Sequence, residues 1–273
     1  MVAYLRRARH AVRLLMNRLS GNMRCVACGF LGMPHRVKVL SDTLVTEWKL
    51  SDTWRDRFDD REGVLCMRCG SNKRASHLAN TLLTIFHDTC GVTASSLAEA
   101  MADDRVRVLR IAEVNAAHGL HQFLRRSPGV LYSEYGSTDP TVPSEDLLAL
   151  TYADDSFDLA ITSDTLEHVP DIDQALAELF RILRPGGILA ITVPIVWDRA
   201  HTVQRACVTN GQVQHLLPAS FHGGRDSAQN DFLVFYEFGA DILDRCRAAG
   251  FEVYVIQDTG NPAVATLLAN KPG

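Results

Sequence analysis

The sequence predicts an α/β protein: a doubly wound, mostly parallel sheet preceded by a small cysteine-bearing region. Three observations support this. The first is the stretch Asp154-Asp155-Ser156-Phe157-Asp158-Leu159-Ala160-Ile161-Thr162-Ser163-Asp164-Thr165-Leu166-Glu167-His168-Val169-Pro170, followed by Leu183-Arg184-Pro185-Gly186-Gly187 and an apolar run over 188–193. It reads as a buried strand (157–162), a polar strand end, a helix closed by Pro-Gly-Gly and a second buried strand, the crossover from which parallel sheets are built. The second is a pair of upstream strand patterns, 105–111 with a two-residue alternation and 129–134. The third is a pair of CxxC turns lying ahead of the first strand.

Taken in order, residues 1–20 carry Leu5, Ala8, Val12, Leu15 and Leu19 at helical spacing with arginines on the other faces, which predicts a basic amphipathic helix. It packs on the protein through its apolar side or meets an anionic surface or partner. Residues 21–75 hold the cysteines, and 76–104 form a helical connector with Leu78, Leu82, Leu83 and Phe86 on one side. The α/β domain spans 105–273 and closes with strands 251–257 and 263–269, paired antiparallel through Gly260-Asn261-Pro262. Between 194 and 239 the chain leaves the sheet for far longer than a routine connection.

With 47% apolar and 7% aromatic residues in 273, the composition is that of a soluble globular protein. A net charge of −4 and a pI near 6.2 argue against a dedicated nucleic-acid binder, since phosphate affinity comes largely from Lys and Arg. Charge is uneven, with no Asp or Glu before Asp42. No apolar run is long enough to span a membrane, and the N-terminus lacks the features of a secretory signal, so a cytoplasmic location is expected.

Two of the cysteine pairs, Cys25-Val26-Ala27-Cys28 and Cys66-Met67-Arg68-Cys69, are each followed by glycine. Tetrahedral zinc takes four ligands, and a CxxC turn brings two thiolates onto one ion. Redox or disulfide roles are the alternatives, but an odd total of seven cysteines without a secretion signal speaks against disulfides. Four thiolates leave no open coordination position, so the expected zinc is structural. The 37 residues between the pairs exceed common spacing and require a hairpin or short helix within 37–61.

The wording "DDSFDLAITSDTLEHV…ILRPGGILAITVP" resembles the class I S-adenosylmethionine-dependent methyltransferases, type 11-like, over roughly residues 105–271, and the cysteine region resembles a zinc ribbon. The resemblance implies a seven-stranded Rossmann-like sheet and S-adenosylmethionine as methyl donor. It also assigns cofactor residues. In Glu113-Val114-Asn115-Ala116-Ala117-His118-Gly119, Glu113 supplies the acid and Gly119 the last glycine of the first turn. Asn115 replaces the first glycine and tolerates positive φ better than most residues; Ala117 adds a methyl at a glycine position. Glu134 would accept from the ribose hydroxyls, Asp146 from the adenine amino group, and Leu147 would donate its N–H to the ring. Thr162 and Ser163 would line the sulfonium side. The combination of two CxxC turns, the altered glycine turn and the "VLYSEY" second strand is similar to a branch of bacterial enzymes that tailor glycans and secondary metabolites, which implies a small molecule or sugar hydroxyl as acceptor.

The 194–239 insertion is the expected lid or acceptor pocket. His222, in Phe221-His222-Gly223-Gly224, is the first candidate base because a tight glycine turn would expose it, and His168 is the second. Two other functions remain open: an RNA methyltransferase gripping its substrate with ribbon and basic helix, and a non-catalytic scaffold that kept the fold.

Overall fold

The computed structural model describes residues 23–222 and 232–273, so the expected basic helix at 1–20 lies outside the described residues. Six strands form the central sheet: β1 (Ile111–Val114), β2 (Val130–Ser133), β3 (Phe157–Ser163), β4 (Leu183–Thr192), β5 (Glu252–Asp258) and β6 (Asn261–Asn270). Their order is β5-β6-β4-β3-β1-β2. Pairs β1/β2, β1/β3 and β3/β4 are parallel, in registers such as Ile111↔Val130 and Leu159↔Ile188. Strand β6 runs against both β4 and β5, the antiparallel closing pair expected from the sequence.

Two expectations are corrected. Among the described residues the sheet has six strands, not seven: after β2 the chain makes only the single bridges Glu134↔Ser144 and Asp146↔Ala149. Gly136, Pro140 and Pro143 interrupt this stretch, and proline has no N–H to give a ladder. The first strand also starts later than 105–111. Asp103 accepts from the Arg105 N–H and starts a helical turn at Asp104–Arg107, so the strand is instead the wholly buried Ile111–Val114. A central parallel strand is covered on both faces and need not alternate.

Helices cover both faces. Helix α3 (Lys73–Cys90) packs across β6 and β4 through Ala75, Leu78, Leu82 and Phe86, and it joins one core with Ile111, Leu159, Ile161 and Ala190. Asn72 caps its start, and Gly91, at φ +65°, ends it in the left-handed conformation that glycine adopts without strain. On the other face α4 (Ile172–Ile182) buries Ile172, Ala175, Leu176, Leu179 and Ile182, one helical stripe, beside α5 (Ile242–Ala248). Helix α4 ends at Ile182 and the chain enters β4 at once, so Pro185-Gly186-Gly187 lies within the strand rather than closing the helix.

Before α3, the strands Met23–Arg24 and Leu31–Gly32 pair around the first CxxC turn, and His35–Arg36 pairs with Val64–Leu65 before the second. The long spacer is filled by α1 (Asp42–Glu47) and α2 (Asp52–Gly63), each capped by a serine, Ser41 and Ser51. Trp48, Trp54 and Phe58 then pack with Val196, Val234 and Ala263, joining this region to the 194–239 insertion and the sheet. Trp48 Nε1 donates to Ser220 Oγ and Trp54 Nε1 to Asp198, which fixes the same junction.

Candidate functional site

Parallel strands direct their carboxyl ends to one edge of the sheet, where this architecture places ligands. At the end of β1, Glu113 is fully buried; it accepts from the Ala117 N–H at 2.9 Å and bonds the His121 ring at 2.8 Å. The carboxylate is thus engaged in holding the turn. Asn115 adopts φ +58°, as expected for the residue that replaces a glycine, and its Oδ1 accepts from the Tyr135 N–H. Ala117 is fully buried in the α3-side core. Gly119 touches the second cysteine turn: a Cβ there would sit 2.9 Å from the Ser71 backbone. Only glycine admits that approach.

Glu134 lies at the end of β2, where the Tyr132 hydroxyl donates to it, and the Tyr132 ring rests against His121 at a centroid distance of 4.1 Å. A chain of contacts therefore runs from Glu113 through His121 and Tyr132 to Glu134. Asp146 forms a tight turn, its carboxylate accepting from the Leu148 N–H, and Leu147 is buried.

Thr162 and Ser163, at the end of β3, are buried beneath a charged network. Arg61 of α2 donates to both oxygens of Asp164 at 2.7 Å, and Arg74 of α3 bonds Glu62 at 2.9 Å and Ser163 Oγ at 2.5 Å. Thr192 of β4 donates to Asp164 at 3.0 Å. Burial alone would raise the Asp164 pKa, but Arg61 and then Arg74 hold its carboxyl well below the usual range. Sequence reading missed this network. Arg61 stands in the exposed-looking run Trp54-Arg55-Asp56-Arg57-Phe58-Asp59-Asp60-Arg61-Glu62, where nothing local marks it for burial.

His168 and His222 come together although 54 positions separate them: their rings lie 4.8 Å apart at 65°. His222 is not exposed as its glycine-rich neighbourhood implied. It is half-buried against Trp48, whose ring centroid lies 5.6 Å away, and its Nε2 is buried without a hydrogen-bond partner. Burial, then His168, push its pKa down to about 4. Beside them Glu167 is fully buried with both carboxylate oxygens unpartnered. Burial first, and then the Asp164 charge, raise its pKa well above the ordinary value. Glu167 sits in the quoted Leu-Glu-His-Val run, yet its neighbours, not its pattern, give it this character.

The four expected zinc ligands also converge. Cys25 Sγ lies 3.6 Å from Cys69 Sγ, and Cys28 Sγ lies 3.8 Å from Cys66 Sγ. A tetrahedral ion with bonds of about 2.3 Å has sulfur–sulfur edges of about 3.8 Å, so the spacing matches. In each turn the glycine that follows donates its N–H to the first cysteine's carbonyl, Gly29 to Cys25 and Gly70 to Cys66, both glycines at positive φ.

Residues 65–191 match the family model described as a methyltransferase domain. The chain is similar to the methyltransferase GfsG of Streptomyces halstedii, 44% identical over 63 residues, which is 23% of each chain. It is also similar to the ubiquinone/menaquinone biosynthesis C-methyltransferase UbiE of Hydrogenovibrio crunogenus, 43% identical over 56 residues, 20% of this chain and 21% of that protein. The matched segments thus span about a fifth of those relatives. Among solved structures it is similar to Streptomyces venezuelae DesVI, 13% identical at a TM-score of 0.43 over 73% of this chain and 92% of that one.

Proposed function

We propose that this methyltransferase transfers a methyl group to a hydroxyl of a small molecule or glycan. When bound, S-adenosylmethionine supplies an electrophilic methyl on sulfonium; the chain's own residues bind, orient and exclude water. Glu134 would take the ribose hydroxyls, Asp146 and Leu147 the adenine, and Asn115 and Gly119 would shape the turn beside it. Glu113 would hold that turn through Ala117 and His121, and Thr162 and Ser163 would close the sulfonium side under Arg74. Cys25, Cys28, Cys66 and Cys69 would hold one structural zinc and thereby position α2 and α3, whose arginines cover that same edge. Seven unpaired cysteines suit a reducing, cytoplasmic setting.

The observation that carries the reading is the group Glu167–His168–His222, in which His222 of the 194–239 insertion meets the turn just beyond β3. Buried polar atoms without partners are rare in folded proteins, and a catalytic role or a bound ion is one reason for them. The acceptor hydroxyl would lose its proton at this group, with His222 and then His168 the imidazoles involved. Calorimetric titration with S-adenosylmethionine and its demethylated product tests the donor side: binding of both supports an enzyme, and binding of neither supports a scaffold. A panel of hydroxylated small molecules and sugars, scored by methyl transfer, tests the acceptor.

A further inference from the structure

The Glu167–His168–His222 group has a donor set and a geometry of its own. Its ligand atoms all lie within 4.8 Å of one another, and His168 Nε2 stands 4.0 Å from Glu167 Oε1. His168 Nδ1 lies 3.0 Å from the Leu233 carbonyl. A carbonyl only accepts, so Nδ1 carries the proton and Nε2 presents its lone pair to the group. Metal-binding imidazoles are oriented by this kind of bond from the other ring nitrogen to a backbone carbonyl. The second imidazole, His222, has a buried Nε2 with no partner, and Glu167 has two. One buried carboxyl and two half-buried imidazoles therefore gather three potential ligand atoms in one place.

The charge balance points the same way. Arg61 and Arg74, the cations nearest the group, are already paired with Asp164 and Glu62. Two positive side chains are matched by two negative ones, so an ionised Glu167 would have no counter-charge of its own. An isolated carboxylate is costly to bury. A cation in the group would supply what the protein does not.

We propose that Glu167, His168 and His222 form a second metal site, distinct from the cysteine cluster, which takes a divalent first-row transition-metal ion and turns its open positions toward the acceptor hydroxyl. Two imidazoles and one carboxylate are a borderline donor set that suits such ions and leaves positions free for an oxygen ligand; the four thiolates prefer zinc. Bonds of about 2.0–2.2 Å require the three side chains to close slightly on the ion. Glu167 and His168 lie on the turn after β3, whereas His222 lies in the 194–239 insertion, so closure on the ion would bring the two segments together. With the ion bound, the imidazoles would act as ligands rather than bases, and the ion would lower the pKa of a coordinated acceptor hydroxyl so that its proton passes to water. That last role rests on the methyltransferase reading; ion binding itself does not.

The test is a titration of the zinc-loaded full chain with Mn2+, followed by electron paramagnetic resonance of free Mn2+, with neither donor nor acceptor present. One equivalent should bind. Glu167→Gln and His222→Ala should each weaken binding by more than about 100-fold, beyond what loss of a supporting hydrogen bond does. Both variants should retain the wild-type zinc content and unfolding midpoint, which separates loss of the site from loss of the fold. Absence of Mn2+ binding in the wild type, or equal binding by wild type and folded variants, overturns the site. Failure to bind S-adenosylmethionine with Mn2+ binding intact overturns the methyltransferase reading and leaves the ion site standing.

Discussion

Arg61 and Asp164 meet through two parallel hydrogen bonds of 2.7 Å, from the two terminal nitrogens of one side chain to the two oxygens of the other. This fork joins α2, in the cysteine region, to the residue that follows β3, and the Arg61 side chain is 1% exposed. The cysteine cluster is thereby linked to the carboxyl edge of the sheet, because its cysteines lie on either side of Arg61 and just before Arg74.

Asp164→Asn should destabilise the protein by about 3–5 kcal/mol, since it leaves two buried guanidinium groups short of a partner. The pH dependence has a fixed sign. The folded Asp164 pKa is depressed, so its contribution is fully present above the ordinary carboxylate value of about 4 and is lost as pH falls below it. Thermal unfolding midpoints should drop on acidification in the wild type, and less steeply in Asp164→Asn. Parallel curves for the two proteins would show that the pair contributes nothing.

Freshly purified protein should contain one zinc per chain. Replacing Cys66 by Ser should release it and loosen the region around α2, because ion binding supplies folding free energy to small cysteine sites. Elemental analysis well below one equivalent in the wild type would refute this.

Glu134→Ala should weaken S-adenosylmethionine binding by about 1.5–3 kcal/mol, the worth of hydrogen bonds to a charged group. Tyr132→Phe is the informative companion, since the Tyr132 hydroxyl occupies the same carboxylate. It should alter affinity less than Glu134→Ala. Equal calorimetric affinity of wild type and Glu134→Ala would move the ribose site elsewhere.

His222→Ala should lower turnover by about 10²–10⁴, the range for removing a group that handles the acceptor proton, while S-adenosylmethionine affinity is retained. His168→Ala should behave similarly. Near-normal turnover in both would place acceptor activation away from this group.

Gly119→Ala should impair folding rather than binding alone, because the added Cβ meets the Ser71 backbone at 2.9 Å. Reduced soluble yield or a lowered unfolding midpoint checks this, and a fully stable variant would contradict the packing.

Much of this protein was written in local pattern. The two CxxC turns, the crossover from β3 through α4 to β4, the helical stripe of Leu78, Leu82 and Phe86, and the tolerance of Asn115 for positive φ all follow from residues within a few positions of one another. Backbone geometry and near-neighbour burial set them. Where local patterns competed, the sequence reading erred: the alternation over 105–111 looked like a strand, but Asp103 caps a helical turn there, and the prolines after β2 removed a seventh strand. Other features arose only from the tertiary structure. Arg61 reaches Asp164 across 103 positions, Gly119 is pressed against Ser71, and His222 is turned inward between Trp48 and His168 to face a carboxylate with no partner. A charged side chain's burial and proton affinity depend on which distant groups surround it, so neither can be read from its neighbours in the chain.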